Sequence, residues 1–178
     1  MESTPRLYDT LVAVLHQHQK WLDLRHLKTL AWMTAGLIQS GNISLTAWAP
    51  YVHSRAVFAQ STVRRFARWL ANERIDVHAL YGPLIHQALA EWGTCVLSLA
   101  LDTSMLWDAY CLVRISLVYR GRAVPMVWTV LEHASSSVAF EVYKGLLDKG
   151  AELLPFGCTV ILTADRGFAD THLRVSTK

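Results

Sequence analysis

Two apolar runs that each close on an aspartate most constrain what this chain can fold into. The first is VLSLALDTS, Val96–Ser104, and the second is TVILTAD, Thr159–Asp165. Each is short, rich in β-branched and aliphatic residues, and reads as a buried strand. Between them come YCLVRISLVY (Tyr110–Tyr119), a turn-like RGR (Arg120–Arg122), AVPMVWTVLE (Ala123–Glu132) and the amphipathic stretch SSSVAFEVYKGLLDKGAELL (Ser135–Leu154), a helix with serines to cap it. The order is β-β-β-α-β. Short turns make the first three strands antiparallel, and the helix lets the fourth return parallel to the first. Pro125 has no N–H to give a ladder, so it belongs near the start of the third strand or at a sheet edge. Asp102 and Asp165 then come to the C-terminal ends of two parallel neighbours, where ligands bind in open α/β sheets.

The first ninety residues carry a different rhythm. Leu7, Leu11, Val14 and Leu15 recur at helical spacing, as do Leu27, Leu30, Ala31, Thr34 and Ile38. Ser40–Asn42 stops the second helix. Ser44 is placed to cap Leu45–His53, in which Pro50 demands a break or kink. Ser61 is placed to cap TVRRFARWLAN, and Asp76 to cap VHALYGPLIHQALAEW, where Pro83 interrupts or restarts the helix. The character changes at Gly93. The expected fold is α/β (α+β overall), with a helical domain over residues 1–92 and a β-β-β-α-β domain over residues 93–178. A chain of 178 residues with 52% hydrophobic content can build one good core or two small ones.

The net charge of +3 is unevenly spread: residues 1–90 hold nine Lys/Arg against five Asp/Glu, and residues 91–178 hold eight against nine. The basic excess therefore sits in the helical half, which suits a nucleic-acid contact and equally an ordinary solvated face. Within Ser61–Asn72, Val63, Phe66, Ala67 and Leu70 form an apolar stripe. Arg64 and Arg68 lie one turn apart on another face, with Arg65 beside them. Short helices followed by a turn and a basic helix suggest a helix-turn-helix-like DNA reader, with Arg64, Arg65 and Arg68 on backbone phosphate. Trp69 either stacks on a ligand or packs on a neighbouring helix.

Two carboxylates side by side repel, and a hard divalent cation or a shared proton relieves the repulsion. A carboxylate-held Mg²⁺ pair is one way to run in-line phosphoryl transfer. The plainer alternative makes each aspartate a strand-end turn former.

LALDTSMLWDAYCLVRISLVYRGRAVPMVWTVLEH together with LTADRGFAD resembles the catalytic core of insertion-sequence transposases of the DDE class, in the group with a Tyr-Arg-Glu-Lys signature. The resemblance runs from Val96 to about Leu173, and the helical N-terminal region is similar too. It implies a ribonuclease-H-like core, with Asp102 and Asp165 as the first and second metal-binding acids. It also implies Mg²⁺ or Mn²⁺ as cofactor and double-stranded DNA, the terminal inverted repeats of an element, as substrate. Arg166 completes the second motif with Gly167 and Phe168, where it meets a DNA phosphate or pairs with a neighbouring acid. The family's third acid, a Glu well after the second Asp, has no counterpart: Glu132, Glu141 and Glu152 all precede Asp165. The expectation is thus an incomplete, ribonuclease-H-like domain and a truncated transposase inactive alone. The alternative is a non-catalytic DNA-binding or dimerising fragment that pairs with an intact transposase and inhibits it. An unrelated ribonuclease-H-like hydrolase is a third class, disfavoured by the added basic helical domain.

The remaining features bound the setting. Cys95, Cys111 and Cys158 form no CxxC and are expected to be buried free thiols in a reducing compartment. The start MESTPRLYDT does not have the form of a signal peptide, and Leu30–Ile38 is shorter than the ~20 apolar residues a membrane span needs. A soluble protein of the bacterial cytoplasm, associated with the nucleoid and not with a membrane, is expected.

Overall fold

The computed structural model describes residues 4–17, 21, 23–53 and 58–164. The chain divides into two compact units, residues 1–77 and residues 78–178. The described residues are mixed α and β, with six α-helices and one four-stranded mixed sheet.

The first unit holds α1 (Thr4–Gln17), α2 (Leu24–Ser40), α3 (Leu45–Trp48) and α4 (Ala59–Leu70). Asp23 caps α2, its Oδ1 accepting the Arg25 amide at 2.8 Å, which satisfies one of the orphan donors of the first turn. Gly41 ends α2 in the left-handed region at φ 61, and its N–H donates to Leu37 O at 2.9 Å. Pro50 has the effect its lost N–H dictates: α3 stops at Trp48, and Ala49–Tyr51 tightens into a 3₁₀ turn instead of continuing to His53.

The core of this unit gathers on Leu27, Ala31 and Ala35 of α2, with Trp48 and Phe66 packed ring to ring at 6.1 Å. Helix α4 starts at Ala59, so Ser61 lies inside it and Phe58 takes the cap position without a side-chain bond. The buried residues of α4 are Thr62, Phe66 and Trp69. Val63 is only partly covered, and Ala67 and Leu70 face solvent. The helix is therefore rotated relative to the stripe expected from hydrophobicity, because the large indole of Trp69 outweighs Leu70 for the buried position.

The second unit holds α5 (Val77–Leu89), β1 (Val96–Leu106), β2 (Tyr110–Tyr119), β3 (Arg122–Glu132), α6 (Phe140–Glu152) and β4 (Thr159–Ala164). The sheet order is β3-β2-β1-β4. Strands β1, β2 and β3 pair antiparallel, and β4 lies parallel to β1, from Val96↔Thr159 to Leu101↔Ala164. Arg120 and Gly121 both take positive φ, 49 and 74, in the tight turn that joins β2 to β3. β3 is an edge strand, as Pro125 requires, and a bulge sets Pro125 opposite Ser116 and Val127 opposite Ile115.

One face of the sheet is the core. Leu97, Leu99 and Leu101 of β1 and Cys111, Val113, Ile115 and Leu117 of β2 alternate into it. Helix α6 covers this face through Tyr143, Leu146 and Gly150, and a Cβ at Gly150 would stand 3.6 Å from both Ile115 and Val127. α6 begins at Phe140, so the serines from Ser135 on precede the helix. Ile85 and Leu89 of α5 belong to the same cluster, which assigns that helix to the sheet's unit although it precedes Gly93. No helix among the described residues is long and apolar enough to cross a membrane.

Candidate functional site

Asp102 lies on the face of β1 opposite Leu101, and β1 runs four residues beyond it, Thr103–Leu106. It stands within the strand and not at its end, because pairing with β2 continues to Leu106↔Tyr110. In that ladder Asp102 sits directly across from Arg114. Arg114 Nη2 donates to Asp102 Oδ2 at 2.7 Å, and Ser104 Oγ donates to the same oxygen at 3.4 Å. Both hydrogen bonds that Asp102 accepts from described side chains fall on Oδ2. The pair is half in water: the side chains of Arg114 and Asp102 are 37% and 48% exposed. A cross-strand ion pair at that exposure contributes little to stability, on the order of 0–1 kcal/mol.

A carboxylate oxygen is the donor that a hard divalent ion takes. Asp102 fits as one such ligand through Oδ1, with Arg114 and Ser104 restricting the carboxylate's rotation from the Oδ2 side. The second acid, Asp165, and Arg166 lie outside the described residues. Among the described residues no group of three His, Cys, Asp or Glu side chains converges on a metal-sized site. Arg114 is the residue that sequence reasoning missed. Its signal was present: counting four residues outward from each side of the short β1–β2 turn, Leu106 and Tyr110, pairs Asp102 with Arg114.

The three arginines of α4 do not share one face. Arg64 and Arg68 are exposed, and Arg68 Nε donates to the Arg64 carbonyl at 3.3 Å. Arg65 turns inward. Its Nε and Nη2 are sealed from solvent and have no hydrogen-bond partner among the described residues. Its Cζ stands 5.6 Å from the centroid of the Phe66 ring. Trp69 packs on α2, its Nε1 donating to His26 O at 3.1 Å, so of its two readings the packing one describes the molecule.

Cavities of about 420 and 330 Å³ open between α2 and α4, and Arg25, Thr29 and Arg65 line both. The first also meets Arg68 and Asp23, and the second Lys28. Arg25 is bound to Asp23 by a 2.7 Å ion pair, and its guanidinium holds the Asp23 carboxyl well below the usual range, at about 2. The basic character of this region was legible in the charge count; its concavity was not.

No family model, curated protein or solved structure matches this chain.

Proposed function

We propose that the chain is an insertion-sequence transposase of the DDE class, with a ribonuclease-H-like catalytic core in its second unit. Its helical unit would bind the terminal inverted repeats of an element, as double-stranded DNA in the bacterial cytoplasm. One observation carries the reading. β4 pairs parallel to β1 as far as Leu101↔Ala164, and the next residue in sequence is an aspartate on both segments, Asp102 and Asp165. The antiparallel β1-β2-β3 hairpins and the order β3-β2-β1-β4 support the same reading.

Asp102 and Asp165 are the proposed ligands of Mg²⁺ or Mn²⁺. Such an ion, when bound, polarises the scissile phosphate and activates the attacking oxygen. The chain's own residues prepare that site: Arg114 fixes the Asp102 carboxylate, and exposed Arg64 and Arg68 offer two cations one helical turn apart to DNA backbone phosphates.

A second reading has one observation in its favour. The 2.7 Å Asp102–Arg114 pair satisfies the carboxylate without any ion, as a purely structural cross-strand pair would. On that reading the chain binds DNA or an intact transposase, as a homodimer or mixed pair, and inhibits. Mn²⁺ titration followed by electron paramagnetic resonance separates the two. Under the catalytic reading the chain binds Mn²⁺ in the presence of duplex DNA, and both Asp102→Asn and Asp165→Asn lower the affinity on the order of tenfold or more, as loss of a carboxylate ligand should. Equal binding by all three proteins, or binding by none, sinks the catalytic reading.

A further inference from the structure

We propose that the cleft between α2 and α4 is a built anion site that takes a phosphate group, with Arg65 as its principal ligand. It deepens the DNA-binding part of the function proposed above, and rests on that reading only for where the phosphate comes from.

The case begins with the helical period of α4. Thr62, Phe66 and Trp69 are its buried line. Positions i, i+3, i+4 and i+7 share one face of a helix, so Arg65 stands on the same line, between Thr62 and Phe66. A guanidinium at a core-facing position is unusual, and its state here is more so. Nε and Nη2 are both shut off from solvent and hydrogen-bonded to nothing among the described residues. A buried lysine could release its proton and become neutral. An arginine cannot, so the desolvation of these two N–H groups stands against this arrangement until an acceptor arrives. The Phe66 ring, 5.6 Å from Cζ, offers its face to the cation but accepts neither N–H as a carboxylate or phosphate would.

Among the described residues the cleft around Arg65 is cationic, with no uncommitted acid in its lining. Arg25, Lys28, Arg65 and Arg68 line its two cavities, against the acid Asp23 among the described residues. Asp23 is already committed: its carboxylate accepts Arg25 Nε at 2.9 and 3.1 Å, pairs with Arg25 Nη2 at 2.7 Å and caps the Arg25 amide. The start of α2 is therefore closed by Asp23, while Arg65 keeps two buried N–H groups unbonded among the described residues. One wall is aromatic: Tyr8 stacks on Trp32 at 4.0 Å and Trp32 on His53 at 5.9 Å. An apolar wall beside unpaired N–H groups lowers the local dielectric and strengthens any charge-assisted bond made there.

Two N–H groups of one guanidinium match two oxygens of a phosphate. That chemistry fits a phosphodiester of a nucleic acid and also a free phosphate.

The test uses the full chain and three proteins: wild type, Arg65→Met and Arg65→Lys. Inorganic phosphate is added at ionic strength matched with sodium chloride, and the unfolding midpoint is read. Affinity for a short DNA duplex is measured across a salt series. A ligand of the native state raises the midpoint of the wild type. The expected result is that rise in the wild type, none in Arg65→Met and a smaller one in Arg65→Lys, which keeps the charge but loses the fork. Arg65→Met without phosphate should unfold no earlier than the wild type, because it removes an unpartnered charge. If the phosphodiester is the source, Arg65→Met also weakens duplex binding, on the order of tenfold, and lowers the salt slope by about 1. If Arg65→Met abolishes the phosphate effect and leaves duplex binding unchanged, the anion site stands with free phosphate as ligand, and its use for DNA fails. Should Arg65→Met not fold, Arg65→Lys carries the comparison, and an undiminished phosphate effect in it overturns the proposal. No phosphate effect in the wild type, or the same effect in all three proteins, overturns it as well.

Discussion

Glycine to alanine inside a helix ordinarily stabilises by about 1 kcal/mol, because alanine has less backbone freedom to lose. Two glycines of this chain, Gly36 in α2 and Gly145 in α6, should respond with opposite signs. A Cβ on Gly36 would meet Trp48 Cβ at 2.6 Å and Trp48 Cα at 3.1 Å. Normal carbon contacts lie at ~3.5–4.0 Å, so α2 and α3 would have to part by roughly 1 Å. Trp48 cannot step aside: the clash involves its main chain, and its indole N–H is bound to the Asn42 carbonyl. Overpacking of this kind costs about 1–3 kcal/mol, and the separation also loosens the Trp48–Phe66 contact. Set against the helical gain of about 1 kcal/mol, the middle of that range leaves Gly36→Ala destabilising the first unit by about 1 kcal/mol. For a unit of this size that lowers the midpoint on the order of 5 °C. A Cβ on Gly145 meets nothing within 4 Å, so Gly145→Ala should stabilise the second unit by about 0.5–1 kcal/mol. Scanning calorimetry of the three chains reads both shifts. A midpoint for Gly36→Ala at or above that of the wild type refutes the packing argument.

Two further outcomes follow from single ion pairs. Arg25 holds the Asp23 carboxyl at about 2, below its ordinary 3.8, so this carboxylate's contribution to stability is complete above about pH 4 and is lost as pH falls toward 2. Acid unfolding of Asp23→Ala should show a shallower loss over that window; identical acid limbs would refute the assignment. Asp102→Asn should change stability by less than about 1 kcal/mol in urea unfolding, because its partner is half exposed. A larger loss would mean that the pair carries weight in folding the sheet.

The sheet was largely legible in the sequence because its signals are local and redundant. Alternation in Leu97, Leu99 and Leu101 and in Cys111, Val113 and Ile115 reports which face is buried, and the Arg-Gly turn fixes where β2 meets β3. Helix starts were less legible. The serines at Ser61 and Ser135 are good caps in isolation, yet α4 starts earlier, at Ala59, and α6 later, at Phe140, where Tyr143 and Leu146 reach the sheet. The rotation of α4 was hidden for a related reason. Leu70 and Trp69 compete for one buried position, and the larger indole, whose N–H also finds the His26 carbonyl, takes it. That rotation turns Arg65 inward, which no charge count reveals. The strand that carries Asp102 was legible but its length was not, since β1 runs on to Leu106; Arg114 needed only a counted register, and Asp165 and Arg166 fall outside the described residues.

The middle of β3 has a consequence for how copies of this protein meet. A sheet edge invites strangers when its main chain offers donors and acceptors in sequence. Pro125 has no donor to offer, its carbonyl is already taken by the Tyr81 hydroxyl at 2.8 Å, and the bulge beside it throws the ladder out of step. A strand from another molecule that began to zip along this border would lose its register there. On that stretch of the border an added strand meets a missing donor, an occupied acceptor and a shifted register in three consecutive residues.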